Sequence, residues 1–280
     1  MRFARLAADH RDIVFRCCVD SRTHVDTLAE ACQAHDVAIG VVAEIEVGQR
    51  RCGVPPQDAV DLVRYVRDRG LRFDGIQCYQ GLNQHIRSYR ERGDAVMRVV
   101  EIARAVRSAI EAAGIQCQLV TGGGTGTFEF EAGSGVFTEV QPGSYLFLDV
   151  DYAKNMDANE TLDRRFVNSL FVMTTVISVD ADRRWAVVDA GTKAVSLDSG
   201  PPTIDSPDAA DLSYRSGGDE HGIIYGTVGQ LPDAIEIGSV LRLVPGHCDP
   251  TVNLYDEFLV VDDDDNVLET YAIAARGPGR

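Results

Sequence analysis

The sequence predicts an α/β fold, in which a parallel sheet or barrel of β/α units over residues 1–156 precedes an antiparallel β domain over residues 157–280. Two observations carry this prediction. In the first part, short apolar runs alternate with stretches whose apolar residues recur every three or four positions, and repeating units of this kind build parallel sheets. From about Asn159 the strand-like runs alternate with turns instead, and no amphipathic helix stands out.

Five strands are predicted in the first part, each a continuous apolar run of the kind that parallel sheets bury on both faces. They are Ile13–Asp20, Ala38–Val47, Phe73–Gln80, Gln118–Gly122 and Glu139–Asp149. Helical stretches separate them, and the longest, with its apolar stripe between Val96 and Ile110, is expected to end at Gly114. An open doubly wound sheet accepts five strands, whereas a (β/α) barrel needs eight, so the pattern alone leaves both architectures open.

The second part contains five more predicted strands separated by turn-rich segments. These strands are Phe166–Val179, Arg184–Asp189, Gly222–Thr227, Ser239–Val244 and Phe258–Val261. The segments Asp198–Ser206 and Asp262–Asn266 are rich in residues that favour turns, and we expect loops or hairpin ends there.

Charge and composition exclude several classes of protein. With 27 basic and 43 acidic residues the net charge is −16, which argues against a nucleic-acid partner because such partners require a positive surface. No run approaches the ~20 apolar residues of a membrane span, and no signal peptide is recognisable. The seven cysteines include no C-x-x-C pair and are typical of small buried hydrophobes rather than disulfides. We therefore expect a cytoplasmic protein.

The segment from Pro245 to Pro250 lies between two predicted strands and contains His247, Cys248 and Asp249. In an extended backbone residues two apart point the same way, so His247 and Asp249 can present an imidazole and a carboxylate to one point while Cys248 faces away. One nitrogen and one hard oxygen suit Mg²⁺ or Mn²⁺, with the remaining positions left to water or substrate. The alternative is a polar turn in which the two side chains hydrogen-bond to each other.

The run Thr121-Gly122-Gly123-Gly124-Thr125-Gly126-Thr127 closes the fourth predicted strand. Glycines let the backbone approach a ligand, and turn amides together with threonine hydroxyls can form a nest for a phosphate. The run lacks the Gly-Lys-Ser/Thr of a P-loop and the spacing of a dinucleotide fingerprint. A tight turn explains it equally well.

Polar and aromatic side chains also follow the third predicted strand. Tyr79 and Gln80 stand at its end, where a ring and an amide suit stacking on and hydrogen bonding to a cofactor or substrate. His85 comes shortly after them and is a candidate proton acceptor, although an exposed loop histidine is the simpler interpretation.

Together these motifs resemble the signatures of the D-threonine aldolase and D-3-hydroxyaspartate aldolase family, relatives of D-serine dehydratase. The similar strings are PGHCDPTVNLYD from Pro245, QPGSY from Gln141, CYQG from Cys78, the Gly-rich run, and GQRRCGV from Gly48, in which Arg50 replaces a family glycine. The resemblance implies an alanine-racemase-type barrel that carries pyridoxal phosphate and forms a homodimer. It also implies that the five predicted strands are the last five of the barrel, the first three β/α units being absent.

The resemblance further implies roles for individual residues. The metal is expected to be Mg²⁺ or Mn²⁺ rather than Zn²⁺. In the dehydratases the metal pair is of the type H-x-C, whose soft thiolate favours Zn²⁺, whereas this chain has the harder carboxylate of Asp249 in the cysteine position. Tyr145 is expected over the cofactor phosphate, unless it is a core tyrosine. The metal ligands implied are His247 and Asp249. The catalytic residues implied are His85 and His221, and His221 is expected beside Glu220 near the metal. The residues implied for cofactor binding are Arg51, Tyr79, Gln80, Gly124, Thr125, Gly126 and Tyr145.

The implied reaction is a retro-aldol cleavage of D-threonine or D-3-hydroxyaspartate, which gives glycine and an aldehyde or glyoxylate. One residue for this chemistry has no counterpart. The chain has two lysines, Lys154 and Lys193, and neither matches the family's Schiff-base lysine at the end of the first barrel strand. The alternatives are therefore a D-serine-dehydratase-like eliminase and a truncated, non-catalytic member of the family.

Overall fold

The computed structural model of the chain describes residues 2–205, 211–226 and 229–277. The chain forms two compact units, the first from Met1–Gly143 and Asn155–Thr161, the second from Ser144–Lys154 and Leu162–Arg280. It therefore passes from one unit to the other three times. Ser206 and Thr227, which end two predicted segments, lie outside the described residues, and the predicted boundary near residue 156 stays a prediction.

The first unit contains a five-stranded parallel sheet with helices on the connections between its strands. Its strands are β1 Arg16–Val19, β2 Gly40–Glu44, β3 Arg72–Gln77, β4 Leu119–Gly122 and β5 Glu139–Val140. Its helices are α1 Arg2–Asp9, α2 Arg22–His35, α3 Ala59–Asp68, α4 Tyr89–Ala112 and α5 Phe128–Gly133.

The order of the strands decides between the two architectures that the pattern left open. Each strand pairs in parallel with the next strand along the chain, in the order β1-β2-β3-β4-β5. A doubly wound sheet reverses its order at a switch point, whereas a (β/α) barrel keeps this sequential order. The barrel-type prediction is thus confirmed.

The predicted length of the fifth strand was wrong. It was expected to run from Glu139 to Asp149, but β5 pairs with β4 only at Glu139 and Val140. Pro142, which has no amide hydrogen to donate, follows almost at once and cannot extend the ladder.

The core of the first unit lies between the sheet and its helices. In β2, Val41, Val42 and Ala43 are all buried, as expected for a strand covered on both faces. Helix α4 begins where the Ser88 hydroxyl accepts the Glu91 amide at 3.3 Å, and Gly114, with a φ of 77°, follows its end as the sequence predicts. Its buried stripe is Arg92, Ala95, Val96, Val99, Val100, Ala103, Val106 and Ile110.

The second unit is built on a six-stranded antiparallel sheet in the order β8-β11-β6-β7-β10-β9. Its end strands β8 and β9 approach each other, so the sheet is nearly a closed barrel. A separate hairpin, β12–β13, and a short helix, α6 Cys248–Val252, complete the unit. The strands are β6 Val172–Val179, β7 Trp185–Val188, β8 Thr203–Asp205, β9 Leu212–Ser216, β10 Gly222–Gly226, β11 Val240–Val244, β12 Glu257–Val261 and β13 Val267–Ala272.

Strands occur at all five positions that the sequence predicts in this part, so the antiparallel β character is confirmed. The pattern missed β8, β9 and β13, and β8 lies inside the predicted loop Asp198–Ser206. Across the described residues of both units, no helix is long and apolar enough to cross a membrane.

Candidate functional site

Arg51 and Tyr79 come together beyond the ends of β2 and β3. The guanidinium carbon of Arg51 lies 5.7 Å from the centre of the Tyr79 ring, which is a cation–π contact. Arg50, where the resembling family has a glycine, keeps a left-handed backbone with a φ of 57°. The Glu46 carboxylate accepts the Arg50 amide at 2.9 Å and the Gly48 amide at 2.7 Å, and these bonds hold the turn and lower the pKa of Glu46.

Gln80 and His85 lie on the segment that follows β3. The Gln80 Oε1 atom accepts the Leu82 amide at 3.0 Å, and a short 3-10 helix then covers Gly81–His85. His85 is exposed, whereas its neighbour Gln84 is buried. It is Gln84, for which no role was predicted, that contacts the Gly-rich run.

A buried hydrogen-bond network supports the Gly-rich run. Gln84 Nε2 donates to Thr127 Oγ1 at 2.8 Å, and Gln84 Oε1 accepts the Gly126 amide at 2.9 Å. Thr127 Oγ1 donates to Glu131 Oε1 at 3.0 Å and accepts the Gly124 amide at 3.3 Å. The side chains of Gln84, Thr127 and Glu131 therefore determine the shape of this loop.

Close packing explains two glycines of the run. A Cβ atom on Gly126 would lie 2.6 Å from the Gln84 carbonyl oxygen and 3.0 Å from Asn155 Nδ2. A Cβ atom on Gly124 would lie 2.7 Å from Gln84 Oε1. Since either side chain would displace Gln84, these glycines are required by the protein's own contacts, with or without a ligand.

Pyridoxal phosphate, which the resemblance implies, fits the residues of the first unit only in part. Arg51 supplies a cation, but the amides of Gly124 and Gly126 already donate within the protein. The first unit offers no covalent attachment, because its segments contain no lysine.

The second unit brings His247 and Asp249 together. The distance from His247 Nε2 to Asp249 Oδ2 is 3.0 Å. The expected extended backbone was wrong, because only His247 is extended and it caps α6, so that Asp249 lies in the first helical turn. Pro250 favours this helix, since the first turn needs no amide donor at that position. Cys248, between the two, is 3% exposed.

A buried carboxylate fixes this turn to the segment 144–154. Asp149 is fully buried, its Oδ2 atom accepts the Cys248 amide at 3.1 Å, and its Oδ1 atom accepts the Tyr152 amide at 2.9 Å. Burial raises the pKa of the Asp149 carboxyl, although both hydrogen bonds oppose that rise.

His247 has a second carboxylate partner, which the sequence analysis missed. Its Nδ1 atom lies 2.8 Å from Asp198 Oδ2. The hydrogen bond with Asp249 and, against the effect of burial, the one with Asp198 raise the pKa of His247 to about 9. Asp198 is 49 residues away in the sequence, so no local spacing could have revealed the contact.

The other predicted residues of the second unit have different partners. Tyr145 is 39% exposed, and the centre of its ring lies 5.5 Å from that of the Phe166 ring. Glu220, expected beside the metal, forms an ion pair with Lys193. His221 is exposed and directly precedes β10.

The His247 and Asp249 donors fit a divalent cation, because a ring nitrogen and a carboxylate oxygen 3.0 Å apart can bind one ion once the proton between them has left. In the part of the chain that the structure describes, no group of three or more His, Cys, Asp or Glu residues is placed to hold a metal. The pair therefore supplies two ligands, and water or substrate would have to supply the rest.

A cleft of about 920 Å³ in the first unit is lined by none of the predicted site residues. It is lined by Phe15 and Leu71, which directly precede β1 and β3, and so lies at the amino ends of the strands. Arg51 and Tyr79 follow the carboxyl ends, where the loops of (β/α) barrels carry their chemistry. The position of the side chains, rather than the size of the cleft, therefore locates the candidate site.

Two protein-family models match the chain. Residues 3–151 match the model described as "Alanine racemase, N-terminal domain", and residues 169–261 match the one described as "Putative serine dehydratase domain".

Individual relatives agree with these matches. The chain is 41% identical to a D-threonine aldolase of Arthrobacter sp., over 94% of this chain and 68% of the relative. It is 39% identical to a 3-hydroxy-D-aspartate aldolase of Paracoccus denitrificans, over 94% of this chain and 67% of the relative. A crystal structure of D-threonine aldolase from Filomicrobium marinum superimposes with a TM-score of 0.88 at 38% identity, covering 98% of this chain and 71% of that one. The chain thus spans about two thirds of the length of these curated relatives.

Proposed function

The chain belongs to the family of D-threonine aldolases and 3-hydroxy-D-aspartate aldolases, and on this premise we propose that it serves the metal- and pyridoxal-phosphate-dependent retro-aldol cleavage of D-β-hydroxy-amino acids. The products are glycine and an aldehyde, or glyoxylate when the substrate is D-3-hydroxyaspartate. The observation that carries the proposal is the contact of His247 Nε2 with Asp249 Oδ2 at 3.0 Å in a chain of this family.

In this proposal His247 and Asp249 bind and orient the substrate's β-hydroxyl through a shared cation. A divalent ion held by this pair would lower the pKa of the coordinated hydroxyl. Asp149 keeps the turn in place by accepting the Cys248 amide. His85 is the proposed acceptor of the hydroxyl proton at a ring nitrogen, and His221 is proposed to assist near the metal.

Cofactor contacts are proposed for the first unit. Pyridoxal phosphate, when bound, supplies the electron sink for cleavage of the Cα–Cβ bond. Gln80 and the face of Tyr79 suit its ring, the Arg51 guanidinium suits its charged oxygens, and Thr125 suits its phosphate. Lys154 and Lys193 are the only lysines of the 280 residues, and neither matches the family's Schiff-base lysine. We therefore propose that the cofactor's amine partner is supplied by a residue other than these 280.

Elimination of the same hydroxyl as water is the second candidate function. It is favoured by the match of residues 169–261 to a serine dehydratase model. A hard carboxylate at position 249, rather than a soft thiolate that prefers Zn²⁺, supports the aldolase instead. The products separate the two reactions, since the aldolase releases glycine and the eliminase releases ammonia and a 2-oxo acid.

Calorimetric titration with Mn²⁺ tests the metal pair. His247→Ala and Asp249→Ala are expected to abolish binding, because each removes one of the two ligands that the chain provides. Cys248→Ala is the control from the same turn and is expected to bind Mn²⁺ like the wild type, since Cys248 is buried. Loss of binding in the Cys248 variant, or its retention in the other two, would contradict the assignment.

An activity assay tests the reaction. The chain, alone and fused to an amino-terminal segment that carries the Schiff-base lysine implied by the resemblance, is incubated with D-threonine, pyridoxal phosphate and Mn²⁺. Acetaldehyde and glycine are expected in equal amounts from the fusion, and neither from the 280 residues alone. Release of ammonia and a 2-oxo acid in their place would support the eliminase, and aldehyde release that survives His247→Ala would remove the metal pair from the mechanism.

A further inference from the structure

We propose that Asp198 is the positioning residue of the metal pair, in that it holds the His247 ring by Nδ1 and thereby directs Nε2 and its lone pair toward the place shared with Asp249. This inference rests on the proposed function, because it assumes that His247 and Asp249 bind a divalent ion. Nothing in the sequence around residue 198 points to this role, and the contact appears only in the folded second unit.

The geometry at Nδ1 carries the proposal. Asp198 Oδ2 lies 2.8 Å from His247 Nδ1, and the Ser199 hydroxyl lies 3.4 Å from the same atom. The opposite ring nitrogen, Nε2, faces Asp249 Oδ2. The two nitrogens of one ring therefore have separate partners, one on each side, and the ring cannot rotate without losing both contacts.

Asp198 is itself held in place. Its Oδ1 atom accepts a hydrogen bond from the Ser196 hydroxyl at 3.0 Å. The Ser196 amide donates to Thr251 Oγ1 at 3.2 Å, and Thr251 Oγ1 in turn donates to the His247 carbonyl oxygen at 2.8 Å. These contacts form a closed ring from His247 through Asp198, Ser196 and Thr251 back to His247, so the carboxylate is fixed to the cap residue that carries the imidazole.

A carboxylate on one ring nitrogen has a known chemical consequence for the other. It keeps the proton on Nδ1, which leaves the Nε2 lone pair for a metal ion, and it makes that nitrogen a better donor. Removing such partners typically weakens metal binding about 10- to 100-fold. The roles of the two carboxylates thus differ, since Asp249 would bind the ion and Asp198 would act only through His247.

Mn²⁺ binding to the purified chain tests the proposal without any need for activity. For Asp198→Ala we expect the Mn²⁺ dissociation constant to rise about 10- to 100-fold and the ¹⁴N coupling of the bound Mn²⁺ in pulsed EPR to weaken or vanish. Asp198→Asn is expected to recover part of both, because its amide oxygen still accepts the Nδ1 hydrogen. Ser196→Ala should give a smaller change in the same direction.

The matched control is Asp182→Ala, which removes the same charge from an exposed position of the same unit. It is expected to leave the dissociation constant and the ¹⁴N coupling unchanged, and circular dichroism should show all four variants folded. Wild-type Mn²⁺ affinity with an unaltered ¹⁴N coupling in Asp198→Ala would overturn the role of Asp198 alone. Absence of any Mn²⁺ binding by the wild type would overturn the metal pair and the role of Asp198 together.

Discussion

Replacing Glu131 by glutamine is expected to remove a pH-dependent loss of stability from the first unit. Glu131 is 5% exposed, its Oε1 atom accepts the Thr127 hydroxyl, and its Oε2 atom is buried without a hydrogen-bond partner. Burial raises the pKa of this carboxyl from 4.5 to about 7, although the Thr127 bond opposes the rise. An ionised carboxylate is therefore less stable in the folded chain than in the unfolded one.

The sign and the size follow from this difference in pKa. Between about pH 4.5 and 7 the folded chain holds a proton that the unfolded chain has released, so the free energy of unfolding falls as the pH rises through this window. At about 1.36 kcal/mol for each pH unit, the full loss is about 3 kcal/mol and is complete above about pH 7. Below pH 4.5 the carboxyl is protonated in both the folded and the unfolded chain, so it no longer makes the free energy of unfolding depend on pH.

Urea unfolding of the wild type and of Glu131→Gln at pH values from 4.5 to 8 measures the effect. Because glutamine cannot ionise, the free energy of unfolding of the variant should rise by about 3 kcal/mol relative to that of the wild type over this range. Glu101→Gln, at an exposed position of α4, is the control for the loss of one charge and should follow the wild type. Parallel pH profiles for the wild type and Glu131→Gln would refute the reasoning.

Three further outcomes are expected. Gly126→Ala should cost about 1–3 kcal/mol of stability, since its Cβ atom would lie 2.6 Å from the Gln84 carbonyl oxygen, whereas Gly143→Ala, with open space around it, should be neutral in the same urea assay. Borohydride reduction in the presence of pyridoxal phosphate should fix no cofactor to Lys154 or Lys193, and a specific adduct mapped to either by mass spectrometry would show that the amine has been misassigned. The free edge of β1 should make the 280-residue chain associate or aggregate, so a monomer by light scattering with one sharp melting transition would contradict this expectation.

The parts of the fold that the sequence predicts correctly are those set by local patterns. β2 is a continuous apolar run, and α4 carries a stripe bounded by Ser88 and Gly114, so periodicity alone locates both. The strand β8, only Thr203–Asp205, has no such pattern and exists because β11 pairs with it. The short β5 likewise depends on where pairing stops rather than on apolar content.

The candidate site divides in the same way. The spacing of His247 and Asp249 correctly suggests that their side chains can meet, but the short helix that brings them together differs from the expected strand. Asp198, Gln84 and Glu131 were missed, because each acquires its partner through tertiary structure. A polar side chain in a short loop or helix gives no periodic signal.

The three crossings of the chain between its units mean that neither unit is a transplantable module. Residues 144–154 belong to the second unit although the first unit resumes at Asn155, so a single cut cannot separate the two. A fragment that begins at residue 157 would keep His247 and Asp249 but lose Asp149, and with it the acceptor of the Cys248 amide. The order of the segments therefore limits both gene fusion and the preparation of fragments. A fragment or fusion that contains the complete second unit has to include residues 144–154, and with them the first-unit residues 155–161.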